Sequence, residues 1–181
     1  GGMENPRLTF LTPTFLAGDR SLTPLVAHEL AHSWSGNLVT NGVWEDSWLN
    51  EGFTSYIEGR IGEEIFGVEH ARMAEALAWA DIQKTVREEA ANLQRLHMID
   101  DGEQPSPITY DKGALFLRTI EGIVGRDRLD AYLRSYFDRY AFQPMTTQQF
   151  LADFREYVVR GDAALEARLK LDEWAYEPGI P

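Results

Sequence analysis

The stretch "VAHELAHSWSGN", residues 26–37, places His28 and His32 four positions apart with Glu29 between them. Residues four apart on an α-helix lie on one face, so both imidazoles can reach a single metal ion. Glu29 points about 100° away and is placed instead to take a proton from a water beside the ion. The motif predicts a catalytic zinc site. By itself it leaves one alternative open, in which both histidines bond to backbone or water.

The composition limits the ligands and partners of such a site. The 181 residues include no cysteine, so thiolate zinc sites and disulfides are excluded and imidazole and carboxylate remain as strong ligands. This donor set favours catalytic over structural zinc. The formal net charge of −12 argues against a nucleic-acid partner, because binding a polyanion needs clustered Lys and Arg. No apolar run approaches the ~20 residues that span a bilayer, so no membrane partner is expected.

The length and the 44% hydrophobic content suit one compact domain. The opening segment "GGMENPRLTF" lacks the basic and apolar parts of a signal peptide, which makes a cytoplasmic location our expectation. The same segment resembles the middle of a domain, so a targeting signal could lie upstream.

Hydrophobic periodicity and helix breakers predict a mostly helical chain with a short strand at residues 7–11. The histidine helix is expected to begin at a Ser21 or Thr23 cap and to end at residues 36–37. A second helix should run from residue 48 to near Gly67, and further helices should cover residues 69–96, 112–124, 128–140, 148–159 and 163–171. Prolines and glycines predict a loop at residues 100–107 and a non-helical segment, "WAYEPGIP", at residues 174–181. Four aromatic residues are expected in the core: Trp34, Trp44, Trp48 and Phe53.

A zinc site of this kind needs a third protein ligand, and Glu51 in "WLNEGFTSY" is the candidate, nineteen positions after His32. Glu58, one heptad further, shares the Glu51 face and is a candidate acceptor for the outer nitrogen of a zinc histidine. Simpler roles stay open at this point. Glu51 could complement the helix dipole, and Glu58 and Asp46 could equally be a solvated face or a cap.

Three segments, "GGMENP", "HELAHSWSGN" and "WEDSWLNEGFTSY", together resemble the zinc aminopeptidase family of aminopeptidase N and leukotriene A4 hydrolase, which belongs to the gluzincins. "PITYDKGALFL" is similar to the family segment that bears a catalytic tyrosine, and "WAYEPGIP" to the domain exit of the leukotriene A4 hydrolase branch. The resemblance implies a mostly α, thermolysin-like catalytic domain with a small β remnant. It would cover residues 1–175, truncated on its N-terminal side, and residues 176–181 would be an exit linker.

The same resemblance implies one Zn²⁺ held by His28, His32 and Glu51. Glu29 would be the general base and later the proton shuttle to the leaving amine. Tyr110 would stabilise the oxyanion, since a hydroxyl donor aimed at the developing alkoxide adds to the Lewis acidity of the metal. Without the family, Tyr110 would be only a partly buried tyrosine after a loop.

Substrate binding would fall to the first five residues, Gly1, Gly2, Met3, Glu4 and Asn5. In the family the glutamate of this motif, here Glu4, binds the free α-amine of the substrate. An ammonium paired with a carboxylate in a partly dehydrated cleft is a strong anchor. The neighbouring glycine-rich backbone could pair with the substrate as an added strand. The implied partners are peptides with a free N-terminus, together with a flanking N-terminal β domain and a C-terminal helical domain.

The expected function is therefore that of a zinc-dependent aminopeptidase acting on short peptides. A bifunctional epoxide hydrolase is one alternative, but that branch places an aspartate and a tyrosine where an ungapped match puts Gly102 and Pro105. The neighbouring Asp100 and Asp101 keep that alternative open. A catalytically dead peptide-binding module is a second alternative, and the intact Glu29 and Tyr110 argue against it.

Overall fold

The computed structural model describes residues 1–99 and 106–181. Its described part contains eight α-helices: α1 (Thr23–Ala31), α2 (Trp48–Phe66), α3 (Val68–Glu88), α4 (Gly113–Val124), α5 (Arg126–Arg139), α6 (Thr147–Phe154), α7 (Ala163–Leu169) and α8 (Leu171–Tyr176). The 3₁₀ turns are Pro13–Phe15, Trp44–Asp46 and Ala91–Gln94, and the π-helical turns are Ile108–Lys112 and Arg155–Val159. The strands are β1 (Gly2–Met3), β2 (Phe10–Leu11), β3 (Val39–Asn41) and β4 (Gln143–Met145). The predicted mostly helical class is confirmed.

Helix α2 lies at the centre of the fold, with α1, α3 and α4 packed around it. Its fully buried Trp48 and Phe53 contact Phe150 of α6, at ring-centroid distances of 5.7 and 5.2 Å. The prediction that these two residues lie in the core is confirmed. The same prediction was wrong for Trp34 and Trp44, which are 48% and 45% exposed because they lie in the turns that flank the helices.

The histidine helix is shorter than predicted, because α1 ends at Ala31 and the chain then turns. The turn needs Gly36, whose φ of 118° is unfavourable for other residues and whose added Cβ would lie 2.6 Å from Asn50 Oδ1. His32 caps the helix with right-handed φ and ψ of −57° and −15°, so it keeps its place one turn after His28. The turn brings the end of α1 against α2.

The strands form two small pairs rather than one edge strand. β1 and β2 pair antiparallel, and only residues 10–11 of the predicted strand at 7–11 are extended in this way. Arg7 has a φ of 66°, which no β-strand accommodates. β3 and β4 pair parallel, with Val39 opposite Gln143. This second pair was not predicted, because two three-residue strands a hundred positions apart give no local pattern.

One helix prediction was wrong at its end, and the predicted non-helical segment at 174–181 was wrong at its start. The helix predicted at 69–96 stops at Glu88, where the buried Gln94 side chain donates to the carbonyls of Val86 and Glu89 and so satisfies the helix end. The helix predicted at 112–124 agrees with α4, which follows a π-helical turn. The helix predicted at 148–159 agrees with α6 together with the π-helical turn after it. "WAYEPGIP" is helical through Tyr176, because its prolines come later and the buried Trp174 stacks on Phe116 at 5.3 Å.

The predicted loop at 100–107 falls mainly outside the described residues. Within the described ranges, no helix combines the length and apolar character needed to span a membrane. The predicted domain boundary between residues 175 and 176 stays a prediction.

Candidate active site

His28 and His32 on α1 meet Glu51 on the first turn of α2. Glu51 Oε2 lies 3.2 Å from His28 Nε2 and 3.5 Å from His32 Nε2. One ligand atom from each residue falls within 4.8 Å of the others, and the side chains are only 12%, 2% and 17% exposed. Two imidazole nitrogens and one carboxylate oxygen form a donor set used by catalytic zinc sites. These three residues therefore fit a bound zinc ion.

The outer nitrogens of both histidines are held by neighbouring groups. The Nδ1–H of His28 donates to Glu58 Oε2 at 3.0 Å, which is the contact predicted for Glu58. The Nδ1–H of His32 donates to Asn50 Oδ1 at 2.8 Å and to the Ser35 carbonyl at 3.0 Å. A proton fixed on Nδ1 leaves the Nε2 lone pair free for a metal. Both imidazoles are thus oriented with Nε2 toward Glu51.

The electrostatics of the site favour a cation. Burial lowers the pKa of His28, but the carboxylates of Glu51 and Glu58 outweigh burial and raise the pKa to about 9. Without a metal, the His28 side chain therefore carries an extra proton and is a positively charged imidazolium that lies between two carboxylates. A divalent ion would displace this proton and supply the positive charge in its place.

Glu29 follows His28 on α1, and its side chain lies against the first strand, β1. Burial raises the pKa of Glu29, and the two neighbouring histidines partly oppose that effect. The β1 backbone touches this carboxylate so closely that an added Cβ on Gly2 would lie 2.1 Å from Glu29 Oε1. Only glycine allows this approach. The strand therefore forms a wall of the site directly beside Glu29.

The structure places Glu4 in the same cluster, since one ligand atom each from Glu4, Glu29 and His32 lie within 4.8 Å of one another. The Asn37 side chain donates to the Glu4 carbonyl at 2.8 Å and fixes this part of the backbone. Gly1 and Met3 lie further out. Met3 is 51% exposed, and Gly1 is exposed as well. The side-chain nitrogen of Asn5, Nδ2, is buried and has no hydrogen-bond partner in the protein.

Tyr110 lies in the π-helical turn before α4, with its ring 6.0 Å from the ring of His28. Burial and the nearby Glu51 carboxylate raise the pKa of its hydroxyl well above the usual value, so the group is a hydrogen-bond donor at neutral pH. The turn can approach α2 because two glycines meet there. A Cβ on Gly52 would lie 2.8 Å from Gly113 Cα.

The sequence interpretation missed three residues that shape the site. The only sequence signal for Asn50 was its position beside Glu51. Thr54 lies about one turn later on α2, which was its only signal, and its hydroxyl is 3.1 Å from His32 Nδ1. Lys112 is fully buried, and nothing in the sequence indicated this. Asp46, left open as a cap or a functional residue, is buried and accepts hydrogen bonds from His97 and Thr147.

Comparison with known protein families identifies the family of this chain. The sequence model of the family described as the peptidase family M1 domain matches residues 1–174. The chain belongs to peptidase family M1. The resemblance drawn from the sequence motifs is thereby confirmed.

Individual M1 relatives align along the whole chain. Leucine aminopeptidase 2-1 of Meyerozyma guilliermondii is 36% identical over 189 residues, and leukotriene A-4 hydrolase of Xenopus laevis is 38% identical over 188. Each alignment covers 100% of this chain and 31% of the relative. The chain therefore spans about a third of the length of the curated relatives it matches.

Solved M1 structures agree with the fold. The native leukotriene A4 hydrolase of Saccharomyces cerevisiae superposes with a TM-score of 0.91 at 37% identity, covering 100% of this chain and 30% of that one. The M1 zinc metallopeptidase of Deinococcus radiodurans gives a TM-score of 0.80 at 26% identity, covering 99% and 37%. The architecture described here is that of the M1 catalytic domain.

Proposed function

We propose that this chain is the catalytic domain of a zinc-dependent aminopeptidase that removes the N-terminal residue from short peptides. The observation that carries the proposal is the convergence of His28, His32 and Glu51 with two further carboxylates, Glu29 and Glu4, at one site. The relatives named leucine aminopeptidase and leukotriene A-4 hydrolase support the same reaction class.

His28, His32 and Glu51 would hold one Zn²⁺, as their donor atoms and burial allow. A zinc ion held there would act as a Lewis acid and would lower the pKa of a water from 15.7 to about 7. Glu29 accepts the proton of the attacking water and later gives it to the leaving amine. Burial raises the pKa of Glu29, which makes its carboxylate a stronger proton acceptor.

Tyr110 donates its hydroxyl proton in a hydrogen bond to the oxyanion that develops from the scissile carbonyl. One preorganised donor of this kind is worth roughly 2.7–4 kcal/mol in the transition state. Glu4 binds the α-ammonium of the substrate, which gives the cleft its selectivity for a chain terminus. The β1 backbone of Gly2 and Met3 forms the edge along which the substrate lies, with Gly1 and Asn5 at its ends.

The full-length protein would add an N-terminal β domain and a C-terminal helical domain that wall the cleft, since the chain covers only 31% of its curated relatives. Epoxide hydrolysis has no supporting observation here, because the deciding positions, Gly102 and Pro105, lie outside the described residues. A cytoplasmic location stays a prediction.

Zinc analysis of the full-length protein and of its Glu29→Gln variant tests the proposal. We expect one zinc per chain in both, and hydrolysis of aminoacyl chromogenic substrates only in the wild type, because the base is lost while the ligands stay. Glu64→Gln, at an exposed position of α2, is the matched control and should keep full activity. Absence of stoichiometric zinc, or near-normal kcat in a zinc-loaded Glu29→Gln protein, would contradict the proposal.

A further inference from the structure

Lys112 is a fully buried cation that the proposed chemistry does not use. It ends the π-helical turn that carries Tyr110, two positions later in the chain. Its Nζ donates to the carbonyls of Gln94 and Glu177, each at 2.9 Å. Burial, helped by the nearby Arg95, lowers the pKa of Lys112 to about 8. Keeping an ammonium at this buried position therefore costs the folded protein free energy.

Stability alone does not explain this residue. Neutral carbonyls compensate a buried ammonium only in part, and replacement of buried charges by apolar groups of similar volume is often neutral or stabilising. An apolar side chain cannot supply directional hydrogen bonds. Two charge-assisted hydrogen bonds to fixed carbonyls hold the end of the turn in one place.

The two acceptors belong to segments distant from Tyr110 in sequence. Gln94 ends the 3₁₀ turn after α3, and its side-chain oxygen accepts a hydrogen bond from the Gly179 amide at 3.0 Å. Glu177 directly follows α8. Lys112 thus ties the Tyr110 turn to the segment by which the chain leaves the last helix.

The opposite side of the turn rests on α2. An added Cβ on Gly113 would lie 2.8 Å from Gly52 Cα, so the two backbones are in direct contact, one residue after Glu51. A contact of this kind blocks movement toward α2 but does not prevent movement away from it. The tether through Lys112 supplies the missing restraint.

We propose that Lys112 is a positioning residue that holds the Tyr110 hydroxyl at its working distance from the metal-ligand cluster. The inference rests on the proposed function, because it assigns Lys112 a role through the tyrosine of that site. Lys112 touches no substrate. Its effect should appear in the rate of the chemical step and should depend on the hydroxyl of Tyr110.

A double-mutant cycle on the zinc-loaded, full-length protein tests this dependence. Misplacement by about 1 Å costs about 10²-fold, so Lys112→Met should lower kcat by roughly 10- to 100-fold with KM within about threefold. In the Tyr110→Phe background the same substitution should cause no further loss, because the group it positions is gone. Lys84→Met, the same change at an exposed site on α3, should match the wild type in every measurement.

Hydrogen exchange of the peptide covering residues 106–113 gives a readout that is independent of activity. Exchange should be faster in Lys112→Met and unchanged in Lys84→Met, with zinc content equal in both. Should Lys112→Met fail to fold, Lys112→Gln, which is neutral and keeps an amide NH₂ group as donor, serves in the same cycle with a smaller expected loss.

The outcomes separate this inference from the proposed function. An inactive wild type would overturn the proposed function, and the exchange measurement would still decide whether Lys112 orders the turn. An active wild type, an impaired Tyr110→Phe protein and a normal Lys112→Met protein would overturn the positioning role alone. Equal losses from Lys112→Met with and without the Tyr110 hydroxyl would do the same.

Discussion

Replacing Gly2 by alanine tests how closely the first strand approaches the proposed general base. The added Cβ would lie 2.1 Å from Glu29 Oε1 and 2.3 Å from Glu29 Cδ. An ordinary contact begins at 3.4 Å, so the carboxylate has to move by about 1.3 Å. The clashing atoms, which also include Glu29 Cγ at 2.6 Å, all belong to one flexible side chain that can rotate away. We therefore expect Gly2→Ala to fold and to bind zinc normally.

The rate should respond far more than the stability. A misplacement of about 1 Å costs about 10²-fold in rate, so we expect kcat to fall by about two orders of magnitude. This loss corresponds to about 2.7 kcal/mol of transition-state stabilisation. KM should change little, because Glu29 acts on the attacking water rather than on substrate binding.

Steady-state kinetics of the zinc-loaded, full-length protein on an aminoacyl chromogenic substrate measure this effect. Gly62→Ala, in α2 and outside the proposed site, is the matched control, since nothing lies within 4 Å of a Cβ built there. A Gly2→Ala protein with wild-type zinc content and kcat within threefold of the wild type would refute the reasoning. Either β1 would then sit further from Glu29, or Glu29 would not be the base.

Three further predictions concern other contacts of the site. Glu4→Gln should lower kcat/KM for peptides with a free N-terminus by an amount equivalent to roughly 1.5–3 kcal/mol, and should leave kcat/KM for N-acetylated peptides little changed. An unaltered ratio of the two kcat/KM values would argue against amine binding by Glu4. Glu58→Gln should lower zinc affinity by about 10- to 100-fold through His28, measurable by competition with a chelator; wild-type affinity would show that the contact is dispensable. Lys112 has a folded-state pKa below its unfolded value, so the unfolded chain binds more protons between about pH 8 and 10.5. Denaturant titrations should therefore show the wild type gaining stability over Lys112→Met as pH rises through this window, by on the order of 3 kcal/mol, and a constant difference would contradict the pKa shift.

The two helices that carry His28, His32 and Glu51 were predictable because their signals are local. His28 and His32 lie one turn apart, and Glu51 lies in the first turn of a helix that ends at a glycine, Gly67. The contact of Glu58 with His28 also follows from spacing, since it needs only helical periodicity and one neighbouring helix. Patterns of this range are visible in a single sequence.

The parts that were not predictable depend on tertiary contacts. Helix α1 ends early because Gly36 turns the chain toward Asn50. Tyr110 lies in a π-helical turn, and no sequence pattern distinguishes such a turn from the α-helix that follows it. The burial of Lys112 depends on carbonyls of Gln94 and Glu177, 18 and 65 positions away.

The start of α2 shows how such long-range contacts reach the chemistry. Buried Asp46 accepts hydrogen bonds from the Thr147 amide at 3.0 Å and from His97 Nδ1 at 2.7 Å. Two residues later, Trp48 Nε1 donates to Thr147 Oγ1 at 2.8 Å. The first turn of α2 is thereby fixed by α6, about a hundred positions away in the chain. Because Glu51 lies in that same turn, its distance from the two histidines is set by this contact as much as by the motif that contains it.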